Sequence, residues 1–112
     1  MVGITTHVLD TSEGRPAPGV AVSLEIMDGE GWRAVGRGVT DADGRVSDLL
    51  ADRGAEAGTY RIVFDSGAYF ASRGTQGFYP RVTVEFRIEE PGEHHHVPLL
   101  LSPFGYSTYR GS

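Results

Sequence analysis

The chain contains no cysteine and no lysine, so all ten of its basic residues are arginine. Without cysteine the protein can form no disulfide, no thiolate nucleophile and no cysteine-ligated zinc site. Without lysine it can use neither a Schiff base nor a lysine general base. Its chemistry must therefore rest on histidine, arginine, carboxylates, hydroxyls or backbone groups.

The sequence also lacks an apolar run close to the roughly 20 residues that a transmembrane helix needs. Residues 1–7 have neither the basic nor the apolar region of a signal peptide, so we expect a cytoplasmic protein. A net charge of −5 argues against nucleic acid or an anionic membrane as the main partner.

The length of 112 residues bounds the architecture. A chain of this size predicts a single domain, 1–112, that buries about two-thirds of its unfolded surface. An internal ligand pocket would use up much of so small a core. A ligand site between subunits is therefore the more economical expectation.

Alternation with a period of two residues runs through much of the chain and predicts β-strands. The clearest sets of apolar residues on one face are Val20, Val22, Leu24 and Ile26; Tyr60, Ile62 and Phe64; and Val82, Val84, Phe86 and Ile88. Turn signals at 28–31 and 43–44 predict hairpins between neighbouring strands. Ser66 is predicted to cap a short helix, 68–73, that Gly74 ends. About seven or eight short strands indicate an all-β, two-sheet β-sandwich with one short helix.

Two predicted strands carry histidine. One, 5–10, contains His7, and the other, 94–101, places His96 and His95 on opposite faces. Both faces of the later strand are apolar near its C-terminal end. One face can pack inside the sandwich, and the other then needs a second subunit to cover it. A proline within this strand, Pro98, cannot donate to a ladder and is expected at an edge or a bulge.

Three segments together resemble the 5-hydroxyisourate hydrolases, the enzyme branch of the transthyretin-like family. They are Ile4-Thr5-Thr6-His7-Val8-Leu9-Asp10-Thr11, Asp43-Gly44-Arg45-Val46 and the terminal Tyr109-Arg110-Gly111-Ser112. The terminal segment is the most specific, because it separates the hydrolases from the hormone carriers of the family. The resemblance covers the whole chain. It implies a transthyretin-like β-sandwich that assembles as a homotetramer, a dimer of dimers with a central channel.

The resemblance also implies an activity and a site. The activity is hydrolysis of 5-hydroxyisourate to 2-oxo-4-hydroxy-4-carboxy-5-ureidoimidazoline in urate catabolism, with no metal and no cofactor. The matching catalytic residues are His7, Arg45 and His96, and the matching substrate-binding residues are Tyr109, Arg110, Gly111 and Ser112. The resemblance also implies that the hormone carriers have a lysine, a glutamate and a threonine at these three catalytic positions. The family's site lies in the channel between the two dimers.

These residue types suit the opening of a ring at a carbonyl–nitrogen bond. Histidine, with an unperturbed pKa of about 6.5, can take a proton from attacking water and return one to the leaving nitrogen. Arginine keeps its proton, so Arg45 can hold carbonyl oxygens and stabilise negative charge. We expect His7 and His96 to activate the water, Arg45 to orient the substrate and the tail to shape the pocket.

Three other interpretations stay open from the residues alone. His94 and His96 have a spacing that can chelate a metal, and His7 could complete the site of a zinc hydrolase. Against this, no carboxylate lies at an obvious ligand position, and an arginine beside the site would repel a cation. A non-catalytic carrier of small aromatic molecules could use the same channel, because a fold does not determine a function. A monomeric β-sandwich that recognises other surfaces is the third.

Overall fold

Nine strands form two sheets in the computed structural model, which describes residues 3–47, 49–50, 55–90 and 92–111. In chain order the elements are β1 (Ile4–Asp10), β2 (Arg15–Pro16), β3 (Ala21–Asp28), β4 (Gly31–Val39), β5 (Arg45–Val46), β6 (Gly58–Phe64), α1 (Ser66–Ser72), β7 (Val82–Ile88), β8 (His95–Ser102) and β9 (Gly105–Thr108). Two of these strands, β2 and β5, are only two residues long. The predicted number of strands was too low because a pair of residues gives no alternation to detect.

The two-sheet sandwich with one short helix is confirmed. One sheet has the order β2-β1-β8-β9, with β5 also paired to β1, and the other has the order β4-β3-β6-β7. The strands β1 and β8 run parallel although they come from opposite ends of the chain. The other described strand pairs are antiparallel. In the order β2-β1-β8-β9 the parallel pair of β1 and β8 lies at the centre of the first sheet.

The core fills the space between the sheets with the residues that the alternation predicts. Ten of the eleven residues in the three predicted apolar sets are at most 8% exposed, and Phe86 is partly buried against them. Burying a large apolar side chain stabilises a fold by about 1.5–3 kcal/mol. The period-two pattern therefore identifies the inner faces of β3, β6 and β7 correctly.

The two predicted turns have different outcomes. Residues 28–31 form the predicted hairpin, in which Asp28 pairs with Gly31 across β3 and β4. Residues 43–44 form a turn but not a hairpin, because the chain passes there from β4 in one sheet to β5 in the other. The second hairpin prediction was therefore wrong. Gly44 adopts a φ of +76° and its carbonyl accepts the backbone hydrogen of Val8 at 2.7 Å, so the turn is held against β1.

The predicted helix is present as α1, but its cap was assigned wrongly. Asp65 is the N-cap, and its carboxylate accepts the backbone hydrogen of Ala68 at 3.4 Å. The Ser66 hydroxyl is buried and has no hydrogen-bond partner among the described residues. The prediction that Gly74 ends the helix is confirmed, since Gly74 follows the C-cap with a φ of +69°. No helix in the described ranges is long and apolar enough to cross a membrane.

Pro98 lies inside the first sheet, on β8, between β1 and β9. The prediction of an edge strand or a bulge was therefore wrong. Strand β9 pairs with β8 only as far as Leu99 opposite Thr108, and the same register resumes at His96 opposite Gly111. Pro98 faces the gap between these two pairs, where no partner calls for a hydrogen on its nitrogen. Its carbonyl accepts a hydrogen bond from the Thr108 hydroxyl at 2.6 Å.

A buried carboxylate at the end of β1 ties this strand to the helix. The Oδ2 atom of Asp10 accepts the Tyr69 hydroxyl at 2.7 Å, and Oδ1 accepts the Ser12 hydroxyl at 2.6 Å. Burial by itself would raise the pKa of Asp10, but these and two backbone hydrogen bonds outweigh it and hold that pKa below its ordinary value. Burial and the contact with Asp10 raise the pKa of Tyr69. The pair therefore stays a carboxylate and a neutral phenol near neutral pH.

We predict that Tyr69→Phe lowers the free energy of unfolding by about 1.5–3 kcal/mol near neutral pH, because it removes a hydrogen bond to a charged group. Urea unfolding at one fixed protein concentration measures the loss. Folding lowers the pKa of Asp10 below its ordinary value of 3.8. The contribution of this carboxylate to the free energy of unfolding is therefore present above pH 3.8 and is lost as the pH falls through the pKa of the folded state. The difference between the two proteins should therefore shrink in acid.

The matched control is Tyr106→Phe, since the Tyr106 hydroxyl makes no hydrogen bond to a described residue and the side chain is 44% exposed. This variant should stay within about 0.5 kcal/mol of the wild type. Equal losses in the two variants would contradict the role assigned to the Asp10–Tyr69 contact.

Candidate active site

The pairing of three strands brings together the catalytic residues that the sequence predicts. In the parallel ladder between β1 and β8, Thr5 lies opposite His96 and His7 lies opposite Pro98. In the antiparallel pair of β1 and β5, His7 lies opposite Arg45. Side chains two residues apart on a strand share a face, so Thr5, His7 and their partners form one surface of the first sheet.

The hydroxyl of Thr5 joins two imidazole rings. Its Oγ1 atom lies 2.7 Å from Nδ1 of His96 and 3.0 Å from Nε2 of His94. His94 is exposed, whereas Thr5 and His96 are half-buried. The contact with His96 spans 91 residues of sequence, and the ladder between β1 and β8 holds it in place.

His7 presents a buried atom without a partner. Its Nε2 nitrogen is shielded from solvent and makes no hydrogen bond to a described residue. A buried polar group that lacks a hydrogen bond costs about 1–3 kcal/mol. A shift of the ring that exposes this nitrogen to a bound molecule would allow a hydrogen bond that recovers that cost.

His96 lies in an environment that favours its neutral form. Burial is the main cause that lowers the pKa of His96 below the ordinary value of 6.5. Nearby positive charge lowers the same pKa further, from His7, Arg45 and His94 in that order. A neutral imidazole near neutral pH can accept a proton, as general-base catalysis requires.

Arg45 begins β5, directly after the turn at 43–44. Its backbone hydrogen is donated to the side chain of Asp41 at 3.0 Å, which fixes the start of the strand. Its guanidinium is exposed and has no carboxylate partner within the part of the chain that the structure describes. The charge of Arg45 is therefore free to bind an oxygen-rich molecule.

A cavity of about 340 Å³ opens beside β1, β5 and β8. It is lined by hydroxyl, guanidinium and imidazole groups and by one valine: Thr5, Thr6, Arg45, Val46, Ser47, His94 and His96. His7 adjoins this cavity through its place in β1, although it does not line the cavity itself. The cavity therefore combines a candidate base with a fixed positive charge.

The C-terminal tail returns to His96 through one backbone contact. The backbone hydrogen of Gly111 is donated to the carbonyl of His96 at 2.8 Å. A Cβ atom on Gly111 would lie 2.6 Å from Cδ2 of the His96 ring, closer than such atoms approach in proteins. Glycine is therefore required where the tail crosses the imidazole. Ser112, the last of the predicted substrate-binding residues, lies outside the described residues.

Two other tail residues lie apart from the Arg45 cavity. Tyr109 is 59% exposed, and the Arg110 guanidinium pairs with the Glu93 carboxylate at 3.0 Å. Both line a second cleft of about 250 Å³ between β7, β8 and the tail, and His96 lines that cleft as well. His96 is therefore the residue at which the predicted catalytic and substrate-binding groups meet. A larger cleft of about 600 Å³ lies on the other sheet and contains no histidine.

No group of three or more histidine or carboxylate side chains within the described ranges is placed to hold a metal ion. His94 and His96 instead share the Thr5 hydroxyl. His95 points to the opposite face, as the alternation predicts, and is 7% exposed.

The residue that the sequence-based interpretation missed is Thr5. Threonine is common in strands, so its identity carries no signal. A usable signal is its position two residues before His7, which places it on the same face of β1. Its partner could not be inferred, because alternation within β1 does not reveal which strand lies beside it.

The chain is similar to known proteins in sequence and in fold. The HIUase/Transthyretin family matches residues 4–111 of the chain. A 5-hydroxyisourate hydrolase from Salmonella typhimurium is 49% identical, over 97% of this chain and 80% of its own length. The solved structure of Klebsiella pneumoniae 5-hydroxyisourate hydrolase is 40% identical, with a TM-score of 0.86, and covers 97% of this chain and 98% of its own.

A solved structure of sea bream transthyretin in complex with thyroxine is 34% identical, with a TM-score of 0.90. It covers 96% of this chain and 93% of its own. The backbone fold is therefore shared by a hydrolase and a hormone-binding protein and does not separate them. The family match includes β1, β5, β8 and the tail up to Gly111, which together build the candidate site. The chain belongs to the HIUase/transthyretin family.

Proposed function

We propose that this protein hydrolyses 5-hydroxyisourate to 2-oxo-4-hydroxy-4-carboxy-5-ureidoimidazoline in urate catabolism. The observation that carries the proposal is the meeting of His7, Arg45 and His96 through the pairing of β1 with β5 and β8. At these three positions the chain has the residue types of the hydrolases that it resembles, not those of the hormone carriers. Relatives named 5-hydroxyisourate hydrolase, at 43–49% identity, support the same substrate.

In the proposed reaction, water adds to a ring carbonyl that adjoins an N–C bond. Neutral His96 takes a proton from the water as its oxygen bonds to the carbonyl carbon, and the carbonyl oxygen becomes an oxyanion. The oxyanion then collapses, the C–N bond breaks, and the leaving nitrogen takes a proton from the imidazolium. His7, which lies opposite Arg45 in the pair of β1 and β5, helps to hold the water between itself and His96. General acid–base catalysis of this kind contributes about 10²–10⁴-fold.

Arg45 supplies the positive charge that this reaction needs. The substrate has several carbonyl oxygens, and the guanidinium offers five N–H donors in a fixed plane. A cation placed where negative charge develops stabilises the transition state more than the ground state. The same cation lowers the pKa of His96, which keeps the base neutral.

We place the complete site between subunits of a homotetramer. The strands β7 and β9 end the two sheets, and their outer edges can pair with a second copy of the chain. An exposed aromatic side chain, Phe104 at 75% exposure, directly precedes β9. A further copy packed on the face of the first sheet that carries Thr5, His7 and His96 would narrow the cavity beside His96.

The direct test is an assay in which urate oxidase generates 5-hydroxyisourate and the ultraviolet absorbance of this intermediate is followed. The protein should accelerate the decay above the spontaneous background. Acceleration that persists in a chelator would argue against a catalytic metal ion. No acceleration at micromolar protein would favour the alternative, a carrier of small aromatic molecules.

We predict that His96→Asn and His7→Asn each lower kcat by about 10²-fold or more, because each removes a group that binds or moves a proton. Both variants should keep the oligomeric size of the wild type in gel filtration. The matched control is His95→Asn, which changes the neighbouring histidine on the opposite face of β8 and should keep its activity when folded. Normal turnover in either of the first two variants would contradict the assignment.

The pKa of His96 predicts the dependence of the rate on pH. A base is active when neutral, so kcat/KM should fall as the pH drops through the pKa of His96 in the free enzyme. Because that pKa is lowered by burial and by nearby cations, the acidic limb should lie below pH 6.5. Arg45→Gln removes one of the cations and should move the limb to higher pH as well as slow the reaction. A limb that does not move would indicate that another group titrates.

We predict that Gly111→Ala lowers kcat by about tenfold with little loss of stability, because the added methyl group must displace the His96 ring. Gly105→Ala is the matched control on β9, where the nearest atom to an added Cβ lies 3.8 Å away. Thermal unfolding checks that both variants fold. Equal activities in the two variants would show that contact between the tail and His96 does not matter for turnover.

A further inference from the structure

The Thr5 hydroxyl lies between two imidazole nitrogens but has only one hydrogen to donate. Its distances of 2.7 Å to His96 Nδ1 and 3.0 Å to His94 Nε2 both lie within hydrogen-bond range. A hydroxyl donates one hydrogen bond and accepts up to two. At least one of the two rings must therefore carry a hydrogen on the nitrogen that faces Thr5.

The direction of the hydrogen bonds that join His96, Thr5 and His94 decides what His96 can do. If Thr5 donates to His96, then Nδ1 is the acceptor and the neutral ring carries its hydrogen on Nε2. If His96 donates to Thr5, then Nδ1 carries the hydrogen and Nε2 keeps a lone pair. Nε2 makes no hydrogen bond to a described residue and is not sealed from the surroundings. The first arrangement offers the site an acid at this position, and the second offers a base.

The charge of Arg45 favours the second arrangement. Arg45 and His96 line the same cavity, and the guanidinium lies close enough to act on the ring electrostatically. A positive charge attracts a nitrogen lone pair and repels an N–H group. Since Nδ1 is turned toward Thr5, Nε2 is the ring nitrogen left to meet a bound molecule. His94 is exposed, so its ring can adjust to whichever hydrogen Thr5 offers.

We propose that Thr5 is a positioning residue that holds neutral His96 with its hydrogen on Nδ1 and its lone pair on Nε2, available to a bound molecule. The hydrogen bonds then run from His96 Nδ1–H to Thr5 and from the Thr5 hydroxyl to His94. This assignment rests on the proposed function for its catalytic consequence. The proton taken from water enters and leaves His96 at Nε2, while Nδ1 donates to Thr5 in both charge states.

The test is nuclear magnetic resonance of the full-length protein labelled with ¹⁵N-histidine, at a pH where the histidines are neutral and without substrate. The ring nitrogens of His96 are assigned by their loss in His96→Asn. The wild type should show a protonated-type shift at Nδ1 and a lone-pair-type shift at Nε2. Thr5→Val keeps the shape of the side chain but removes the hydroxyl, so both shifts should move toward the average of two exchanging tautomers.

Kinetics provide the second readout. Thr5→Val should lower kcat by about tenfold with KM within twofold, because the base is present for only part of the time. Thr5→Ser keeps the hydroxyl and should restore both the shifts and the rate. The control is Thr11→Val, which removes a hydroxyl that donates to the Leu101 carbonyl at the far end of β1. It should leave the shifts of His96 and kcat unchanged.

Either of two results overturns the inference: a wild-type His96 with its hydrogen on Nε2, or Thr5→Val shifts equal to those of the wild type. If Thr5→Val does not fold, the wild-type spectrum and the Thr5→Ser variant decide. A wild-type protein that fails to accelerate the decay of 5-hydroxyisourate would overturn the proposed function instead. The tautomer of His96 would still be measured in that case, so the two failures are distinguishable.

Discussion

The site depends on the parallel ladder between β1 and β8, which joins the first residues of the chain to the last long strand. Seven consecutive pairs hold it, and the hydroxyl of Thr6 adds a bond to the carbonyl of Val97 at 2.6 Å. A slip of one residue would turn every side chain of β1 to the other face. Thr5 would then lose His96, and His7 would enter the core. The register of this ladder is therefore a requirement of the proposed chemistry as well as of the fold.

The two faces of β1 have different roles: the inner face stabilises the fold, and the outer face carries residues of the candidate site. Its inner face carries Asp10 and Thr6, which are 1% exposed and have hydrogen-bond partners for their side chains. Its outer face carries Thr5 and His7, and His7 has an unpartnered nitrogen within the described structure. Polar groups that are satisfied on one side make the strand rigid. The outer side can then hold groups that are incomplete until a molecule binds.

Alternation in the sequence was sufficient to find the inner faces of β3, β6 and β7. It was also sufficient to place His95 and His96 on opposite faces of β8. It could not find the partner of a strand, because period-two patterns are the same whichever strand lies alongside. Hence the contact between Thr5 and His96 and the crossing at residues 43–44 appear only in the fold. Ser66 was assigned as the helix cap on residue type alone, and Asp65, one position earlier, has an equally suitable side chain.

The lack of a carboxylate beside Arg45 has a chemical consequence. Six other arginines of the described structure are paired with a carboxylate, as in Arg61 with Glu25 and Arg110 with Glu93, whereas Arg37 and Arg81 are not. A carboxylate that paired with Arg45 would cancel its charge, and the pKa of His96 would lose one of the effects that lower it. It would also occupy the donors that a carbonyl-rich substrate needs. In the proposed mechanism the unpaired guanidinium therefore adds to burial in keeping His96 neutral and stabilises the negative charge that develops on the substrate, so one residue would link the state of the base to the recognition of the substrate.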